Sequence, residues 1–164
     1  MAIVVNADGL CEPTNPGGVA CYGWVARREG EKIGEGWGEV ARGPGATNNL
    51  AEYRAVIAAL EWLLGRGLAA EPVLVRSDSQ LVIRQVQGRY RVRCEGIRPL
   101  WQRVRDLAAE FAHLEFEWVP REQNEEADLL SRRAYAEALA KGWGLGAEPA
   151  GGAAFGVRPA GGAV

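Results

Sequence analysis

An apolar strand at the start of the chain limits the folds that are open to this sequence. The stretch IVVNADGL, residues 3 to 10, begins as a run of apolar β-formers and reaches a carboxylate at Asp8. Such a run is typical of a central strand that is buried on both faces. An unpaired buried charge is very costly, so the carboxylate needs a partner. We therefore expect a buried strand over residues 2 to 8 that ends on an acid with a bound partner.

Further strands and one long helix follow this first strand. Segments near residues 20–28 and 32–40 are strand-like, and REGEK between them is typical of a hairpin. From residue 49, apolar residues recur every three or four positions, which predicts an amphipathic helix that is closed by Gly65. These patterns predict a hairpin set that is followed by a helix.

The second half of the chain alternates between strands and helices. The segment VLVRS predicts a strand, and DSQLVIRQV and residues 97–112 predict helices. LEFEWV alternates strictly, which predicts a strand with Leu114, Phe116 and Trp118 on its core face. A last helix should be capped by Asn124 and run to about Lys141. The order β-β-β-α-β-α-α-β-α predicts an α/β fold with a mixed sheet covered by helices.

Length and composition fit one folded domain and a tail. The chain has 164 residues, of which 48% are hydrophobic and 24% are charged, and this profile is globular. We predict a domain over residues 1–141 and a Gly/Ala-rich, disordered tail over residues 142–164. No apolar run approaches the roughly 18 residues that cross a bilayer, and no secretory signal is visible. We therefore expect a cytoplasmic protein that does not contact membranes.

Four acids lie at boundaries between the predicted elements. Asp8 ends the first strand, and Asp78 directly follows VLVRS. Glu52 lies in the first turn of the helix in TNNLAEY, and Asp128 lies in the first turns of the last helix. In a sheet with parallel neighbours, ligand sites gather at the carboxyl ends of the strands. These positions indicate that the four acids can meet at one edge of the sheet.

Each acid also has an explanation that involves no ligand. Asn49 with Glu52, and Ser77 with Gln80, match the capping-box pattern. Asp78 lies near a helix N-terminus, where the helix dipole favours an acid. For Asp128 the alternative is a solvated position on its helix. An acid before a glycine, as in the first strand, is typical of a turn. Convergence of all four acids would instead indicate one shared site.

A converging set of carboxylates has a specific chemistry. Mutual repulsion would raise some of the pKa values, and bound divalent cations would relieve that repulsion. Oxygen ligands without histidine or cysteine favour Mg²⁺ or Mn²⁺ over zinc. Two such ions about 4 Å apart activate water and stabilise the leaving oxygen in phosphodiester cleavage. The acids are therefore candidates for a two-metal phosphodiesterase site.

Five ordered motifs in this chain resemble type 1 ribonuclease H. They cover residues 3 to about 137 and read ADGLCEPTNPGG, TNNLAEYRAVIAALE, SDSQLVIRQVQGRYRV, IRPLW and WVPREQNEEADLLSR. The short segment between the second and third helices is similar to the archaeal-type branch, which lacks the family's basic protrusion. The resemblance implies a ribonuclease H-like fold with a five-stranded mixed sheet. It also implies an endonuclease that hydrolyses the RNA strand of RNA–DNA hybrids and, by default, acts as a monomer.

The resemblance assigns a role to each acid. Asp8, Glu52, Asp78 and Asp128 match the family's metal-binding catalytic acids, which implies two Mg²⁺ ions, with Mn²⁺ as a substitute. By the same analogy Asp8 bridges both ions, and Asp128 helps to hold the ion that activates water. Glu52 and Asp78 would hold the ion near the leaving oxygen. The implied products carry 5′-phosphate and 3′-hydroxyl ends.

The family's nucleic-acid contacts are matched at five further positions, namely Asn15, Thr47, Asn48, Asn49 and Gln80. Short amides suit this task because they read 2′-hydroxyls, which distinguish RNA from DNA. The threonine matches a position that seats a phosphate of the DNA strand. The TNN run is also consistent with plain helix-start chemistry. One additional residue before the first of these asparagines makes its placement less specific than that of the acids.

The sequence departs from the family at a loop histidine that assists water activation or product release. The only histidine, His113, precedes the last predicted strand, and we expect it to be structural. Arg121 or Glu122, just after WVP, are candidates to replace it. The residues leave both options open.

An arginine cluster occupies the position of the missing protrusion. Between Arg84 and Arg105 there are seven arginines and one acid, in a chain with a net charge of only −2. Arg89, Arg91 and Arg93 alternate with Tyr90 and Val92, so their side chains can project along one side of an extended segment. A solvated face is the alternative. We predict that these three arginines contact the phosphates of the hybrid.

Other functions compete with hybrid cleavage. A non-catalytic nucleic-acid-binding module should have lost at least one acid, and all four are present. A related four-acid exonuclease would require a strand end, and the continuous TNNLAEY and DSQ blocks argue against it. The chain could also be one domain of a larger assembly, with the tail as a linker.

Overall fold

The computed structural model describes residues 2–141 and the backbone of residues 156–158. The strands are β1 (Ile3–Glu12), β2 (Val19–Arg28), β3 (Glu31–Arg42), β4 (Val73–Ser77), β5 (Leu114–Trp118) and β6 (Gly156–Arg158). The helices are α1 (Asn48–Gly65), α2 (Gln80–Val86), α3 (Arg98–Ala108) and α4 (Glu125–Ala140), and a 3-10 turn covers Arg121–Gln123. None of the helices in this described part is long and apolar enough to span a membrane.

The strands form one mixed sheet in the order β5-β4-β1-β2-β3-β6. The β1–β2 and β2–β3 pairs are antiparallel, whereas β1–β4 and β4–β5 are parallel. Glu29 and Gly30 have φ angles of 51° and 81° in the β2–β3 turn, and two successive positive φ angles suit a tight hairpin. The predicted five-stranded mixed sheet is confirmed, and β6 adds a short antiparallel strand at the edge of β3.

The predicted tail lies mainly outside the described residues. Within residues 142–164 the structure describes Gly156–Arg158 alone, which pair with Glu35–Trp37 of β3. The prediction of a disordered tail stays a prediction. The unpaired backbone groups of an edge strand can accept any extended segment, whatever its side chains.

Helices cover both faces of the sheet, and β2 contributes side chains to the core on each face. Tyr22 and Trp24 belong to the larger core under α1, α2 and α3. Cys21 and Val25 belong to a second core under α4. Successive side chains of a strand point to opposite faces, so one strand supplies both cores. This two-sided burial places the carboxyl end of β1 between α1 and α4.

The edge strand β5 is less buried than its sequence predicts. Leu114 and Phe116 are half-buried, but Trp118 is 40% exposed. The prediction of a core position for Trp118 is therefore wrong. β5 is an edge strand, so it has a neighbouring strand, β4, on one side only. Periodicity indicates which face a side chain takes, but burial depends on the position of the strand in the sheet.

Candidate active site

Asp8 lies where the parallel part of the sheet stops. Parallel pairing between β1 and β4 ends at Ala7 and Ser77. Antiparallel pairing with β2 continues from Asp8, opposite Gly23, to Glu12. The prediction that the first strand ends at Asp8 is therefore wrong, because β2 supplies partners for four more residues. The acid nevertheless lies at the carboxyl edge of the parallel strands, where ligand sites form.

Two glycines allow helices to approach this edge from both faces. A Cβ on Gly9 would lie 2.4 Å from the backbone nitrogen of Glu52 on α1. A Cβ on Gly23 would lie 2.6 Å from the backbone nitrogen of Ser131 on α4. Any side chain at either glycine would push the helix away from the sheet. These close approaches bring the helical acids next to Asp8.

The structure brings three of the four predicted acids into one cluster. Asp8, Glu52 and Asp78 each offer a carboxylate oxygen, and the three oxygens lie within 4.8 Å of one another. Asp8 and Glu52 are each only 5% exposed. Asp128 lies outside this group of three, but its carboxyl hydrogen-bonds Asp8 and lines the same open cleft of about 340 Å³.

The buried carboxyls of this cluster resist ionisation. Burial, together with the negative charges of Glu52 and Asp78, raises the pKa of Asp8 well above its ordinary value. Burial and the charge of Asp78 likewise raise the pKa of Glu52. Hydrogen bonds from Asp8, from the Gly9 N–H and from Ser77 partly oppose that second shift. Bound positive charge would favour the ionised forms of both carboxyls.

The donor set fits a hard divalent cation. All three clustered groups are carboxylates, and oxygen-only sites suit Mg²⁺ or Mn²⁺ rather than zinc. Cys11 also lines the cleft, but its thiol points to the carbonyl oxygens of Thr14 and Ala46 at 3.2 and 3.4 Å. Asp8, Glu52 and Asp78 are therefore the residues that could hold such an ion, and Asp128 lines the same cleft.

Arg132 is a member of the cleft that the sequence analysis missed. Its Nε donates to Asp128 Oδ2 at 3.1 Å, and its Nη1 lies 3.5 Å from Glu12 Oε2. It therefore connects α4 to the end of β1. The four-residue spacing from Asp128 was the available signal, because side chains at i and i+4 meet on a helix.

The helix caps exclude both capping-box explanations. Thr47, rather than Asn49, caps α1, and its Oγ1 accepts a hydrogen bond from Leu50 N–H at 3.1 Å. Ser79, rather than Ser77, caps α2. Glu52 is therefore not the partner of an N-cap residue. The cap residue cannot be read from a run such as TNN because each of its members is a good cap.

Two of the predicted nucleic-acid contacts lie in the cleft beside the acids. Asn15 Nδ2 donates to Asn48 Oδ1 at 2.8 Å, and Asn48 N–H donates to Asn15 Oδ1 at 3.0 Å. Both amides line the cleft. Asn49 is half-buried in the first turn of α1, and Gln80 is exposed at the start of α2. The two reciprocal hydrogen bonds between Asn15 and Asn48 fix these amides relative to each other, despite the additional residue before Asn15.

The structure distinguishes between the residues that are candidates to replace the family's loop histidine. Arg121 lines the cleft, is 85% exposed, and has its Nε 3.9 Å from Asp78 Oδ2. Glu122 is exposed in the same 3-10 turn but is not among the residues that line the cleft. His113 is exposed at the other end of β5, and its carbonyl accepts a hydrogen bond from Val73 N–H.

Trp118, which the sequence analysis assigned to the core, donates its Nε1–H to the carbonyl of Asp78 at 3.2 Å.

The arginine segment, defined here as Arg89–Arg93, lies between α2 and α3. All three of its arginines are exposed. Val92 is buried, whereas Tyr90 is 49% exposed. The backbone carbonyl of Arg91 accepts a hydrogen bond from Gln85 Nε2. The backbone carbonyl of Val92 accepts one from Arg98 Nη2. These contacts hold the segment against the helices while its arginines face solvent.

The predicted cap of α4 makes a different contact. Asn124 is the N-cap residue, but its side chain forms no capping hydrogen bond. Its Nδ2 donates instead to the carbonyl of Ala7 at 2.9 Å, and its Oδ1 accepts from Asn6 Nδ2 at 2.9 Å. This amide therefore attaches the start of α4 to the residue before Asp8.

An α/β domain with this strand order and a carboxylate cluster at the carboxyl edge of its parallel strands is a ribonuclease H-like domain. The model of the family described as "Reverse transcriptase-like" matches residues 6–134. The ribonuclease HI of Halobacterium salinarum is 38% identical over 125 residues, which is 76% of this chain and 60% of that protein. The chain therefore belongs to this family and, within it, to type 1 ribonuclease H.

Other relatives and solved structures agree with this assignment. The bifunctional protein Rv2228c of Mycobacterium tuberculosis is 34% identical over 151 residues, or 92% of this chain and 40% of that protein. The crystal structure of the Halobacterium salinarum enzyme superposes with a TM-score of 0.75 at 34% identity, over 84% of this chain and 99% of that chain. LC11-RNase H1, solved in complex with an RNA/DNA hybrid, gives the same four values. The chain thus spans 40% to 60% of the length of these curated relatives.

Proposed function

We propose that this chain is an endoribonuclease that hydrolyses the RNA strand of RNA–DNA hybrids with the help of two divalent cations. The observation that carries the proposal is the cluster of Asp8, Glu52 and Asp78, whose carboxylate oxygens lie within 4.8 Å of one another. Two buried carboxylates in mutual contact are unfavourable unless cations bind between them. The similarity to LC11-RNase H1, which was solved with an RNA/DNA hybrid, supports the choice of substrate.

The four acids divide the work around the scissile phosphate. When bound, two Mg²⁺ ions, or Mn²⁺ in their place, would polarise the phosphate and supply an activated water. By analogy with the family, Asp8 would help to hold both ions. Asp128 would serve the side of the attacking water, while Glu52 and Asp78 would serve the side of the leaving oxygen. The products would carry 5′-phosphate and 3′-hydroxyl ends.

The amide pair beside the acids would select RNA at the cleavage site. Asn15 and Asn48 are bonded to each other and line the cleft. Asn49 and Gln80 follow at the starts of α1 and α2. Amides can donate to and accept from 2′-hydroxyls, so these four would read the RNA strand across the minor groove. Thr47 would hold a phosphate of the DNA strand.

Charged groups around the cleft would complete the site. Arg121 would take the role of the loop histidine, because it is exposed and lies beside Asp78. Glu122 is the weaker candidate since it does not line the cleft. The arginine segment would bind phosphates farther along the hybrid and replace part of the basic protrusion.

Cleavage of a labelled RNA–DNA hybrid tests the proposal. The purified chain and the variants Asp8→Asn and Asp106→Asn are incubated with Mg²⁺, with Mn²⁺ or with EDTA. The second variant is the matched control, because Asp106 is an exposed acid on α3 that hydrogen-bonds Gln102. We expect metal-dependent internal cuts with 5′-phosphate ends from the wild type and the control, and none from Asp8→Asn or with EDTA.

A circular hybrid distinguishes the competing functions. An endonuclease linearises it, whereas an exonuclease leaves it intact. Hybrid binding without cleavage in either metal would contradict the proposal and would indicate a binding module. Equal cleavage by Asp8→Asn and the wild type would remove the carboxylate cluster from the mechanism.

A further inference from the structure

A buried serine hydroxyl connects two of the elements that carry the acids. Ser77, the last residue of β4, is fully buried. Its Oγ donates a hydrogen bond to Glu52 Oε2 at 3.1 Å and accepts one from Ser79 N–H at 3.1 Å. One side chain therefore contacts both the carboxylate on α1 and the turn that carries Asp78.

The direction of these hydrogen bonds follows from what each group can donate. A backbone N–H can only donate, so the Ser77 oxygen accepts from Ser79. The single hydroxyl proton is then left for Glu52. Helix capping does not account for this hydroxyl, because Ser79 Oγ accepts from Val82 N–H and caps α2.

The backbone of Ser77 is fixed on both sides. Ser77 lies opposite Ala7 of β1 and opposite Trp118 of β5 in the two parallel pairings. Its carbonyl also accepts a hydrogen bond from Val119 N–H at 3.0 Å. A donor in such a rigid position restricts the rotation of the carboxylate that it contacts.

We propose that Ser77 is a positioning residue of the divalent-cation site, whose hydroxyl orients the Glu52 carboxylate and fixes it relative to the Asp78 turn. This role rests on the proposed function, since it requires that the acids hold cations. Partners that orient metal ligands typically change metal affinity by about 10–100-fold when they are removed. The hydroxyl should therefore matter for cation binding in the absence of any nucleic acid.

Calorimetric titration of Mn²⁺ into the purified chain tests this role. The variants are Ser77→Ala and, as the matched control, Tyr53→Phe. Tyr53 is the neighbour of Glu52 on α1, and its buried hydroxyl donates a single hydrogen bond, to Gln85 Oε1 at 2.7 Å. We expect Ser77→Ala to weaken Mn²⁺ binding by about 10–100-fold and Tyr53→Phe to leave it unchanged. Both variants should lower the unfolding temperature, because each loses a buried hydrogen bond.

The outcomes separate this role from the proposed function. Wild-type Mn²⁺ affinity in Ser77→Ala would overturn the positioning role, as would an equal loss in Tyr53→Phe. No Mn²⁺ binding by the wild type would overturn the cation site itself, and with it this role. If Ser77→Ala does not fold, Ser77→Cys replaces it, because a thiol is of similar size but is a weak donor. The cysteine variant should bind Mn²⁺ more weakly, and wild-type affinity would again overturn the role.

Discussion

Replacing Asp8 by asparagine should stabilise the metal-free protein. The side chain is 5% exposed and its pKa is raised by burial and by two neighbouring acids. At neutral pH the unfolded chain ionises this group, while the fold keeps it protonated or tolerates a buried charge. Either state costs stability relative to an uncharged amide. The acid that we propose as a metal ligand is therefore expected to destabilise the metal-free fold.

The magnitude follows from linkage. An acid whose pKa is raised in the folded state contributes no penalty below its unfolded pKa, and the penalty then grows by about 1.4 kcal/mol for each pH unit until the folded pKa is reached. From the ordinary Asp8 value of 3.8 up to pH 7, the penalty reaches an upper limit of about 4 kcal/mol. At pH 5 the same argument gives about 1.6 kcal/mol. The advantage of Asp8→Asn should thus increase with pH.

Urea unfolding in EDTA at pH 5, 6 and 7, followed by tryptophan fluorescence, measures this difference. Asp106→Asn is the control, and its stability should change by less than about 0.5 kcal/mol, as is usual for exposed sites. An Asp8→Asn variant that is no more stable than the wild type at pH 7 would refute the reasoning. So would an advantage that is the same at pH 5 and pH 7. Added Mg²⁺ should then stabilise the wild type but not Asp8→Asn.

Three further predictions concern packing, binding and catalysis. Gly9→Ala should destabilise the fold by about 1–3 kcal/mol in urea unfolding, because its Cβ would overlap α1. The control Gly45→Ala places its Cβ in open space and should leave the stability unchanged. Equal stabilities of the two variants would contradict the close packing of Gly9 against α1. Neutralising the three arginines of the arginine segment should weaken hybrid binding and reduce the slope of log affinity against log salt by up to about 3, and an unchanged slope would exclude phosphate contacts. Its control neutralises the same number of exposed basic residues outside the Arg84–Arg105 stretch, namely Arg66, Arg133 and Lys141. Arg121→Ala should reduce kcat on the hybrid with little change in Mn²⁺ affinity, and a wild-type kcat would remove Arg121 from the reaction.

Local sequence pattern was sufficient for much of the site. Asp78 follows a short apolar strand, and Asp8 lies within a buried one, so both could be assigned to the carboxyl edge of a parallel pair before the structure was known. Asp128 could be assigned to the first turn of α4. The same prediction for Glu52 is wrong by one residue, because α1 begins at Asn48 and Glu52 is its fifth residue. These features depend on neighbours in sequence, which is why the pattern contains them.

The remaining features depend on contacts that are distant in sequence. The length of β1 beyond Asp8 depends on pairing with β2, and the exposure of Trp118 depends on the edge position of β5. The role of the Ser77 hydroxyl depends on a helix that lies 25 positions earlier in the chain. Capping rules instead favoured Ser77 as a helix cap. No local pattern encodes any of these contacts.

The position of Asp8 within the sheet also bears on local motion. Its strand pairs with β2 on one side and with β4 up to the preceding residue on the other, so its backbone amides should exchange with solvent only when the whole domain opens. Arg121 belongs to a single exposed 3-10 turn, and such a turn can open by itself. The cleft should therefore combine one wall that stays fixed until global unfolding with another that can adjust its shape on its own.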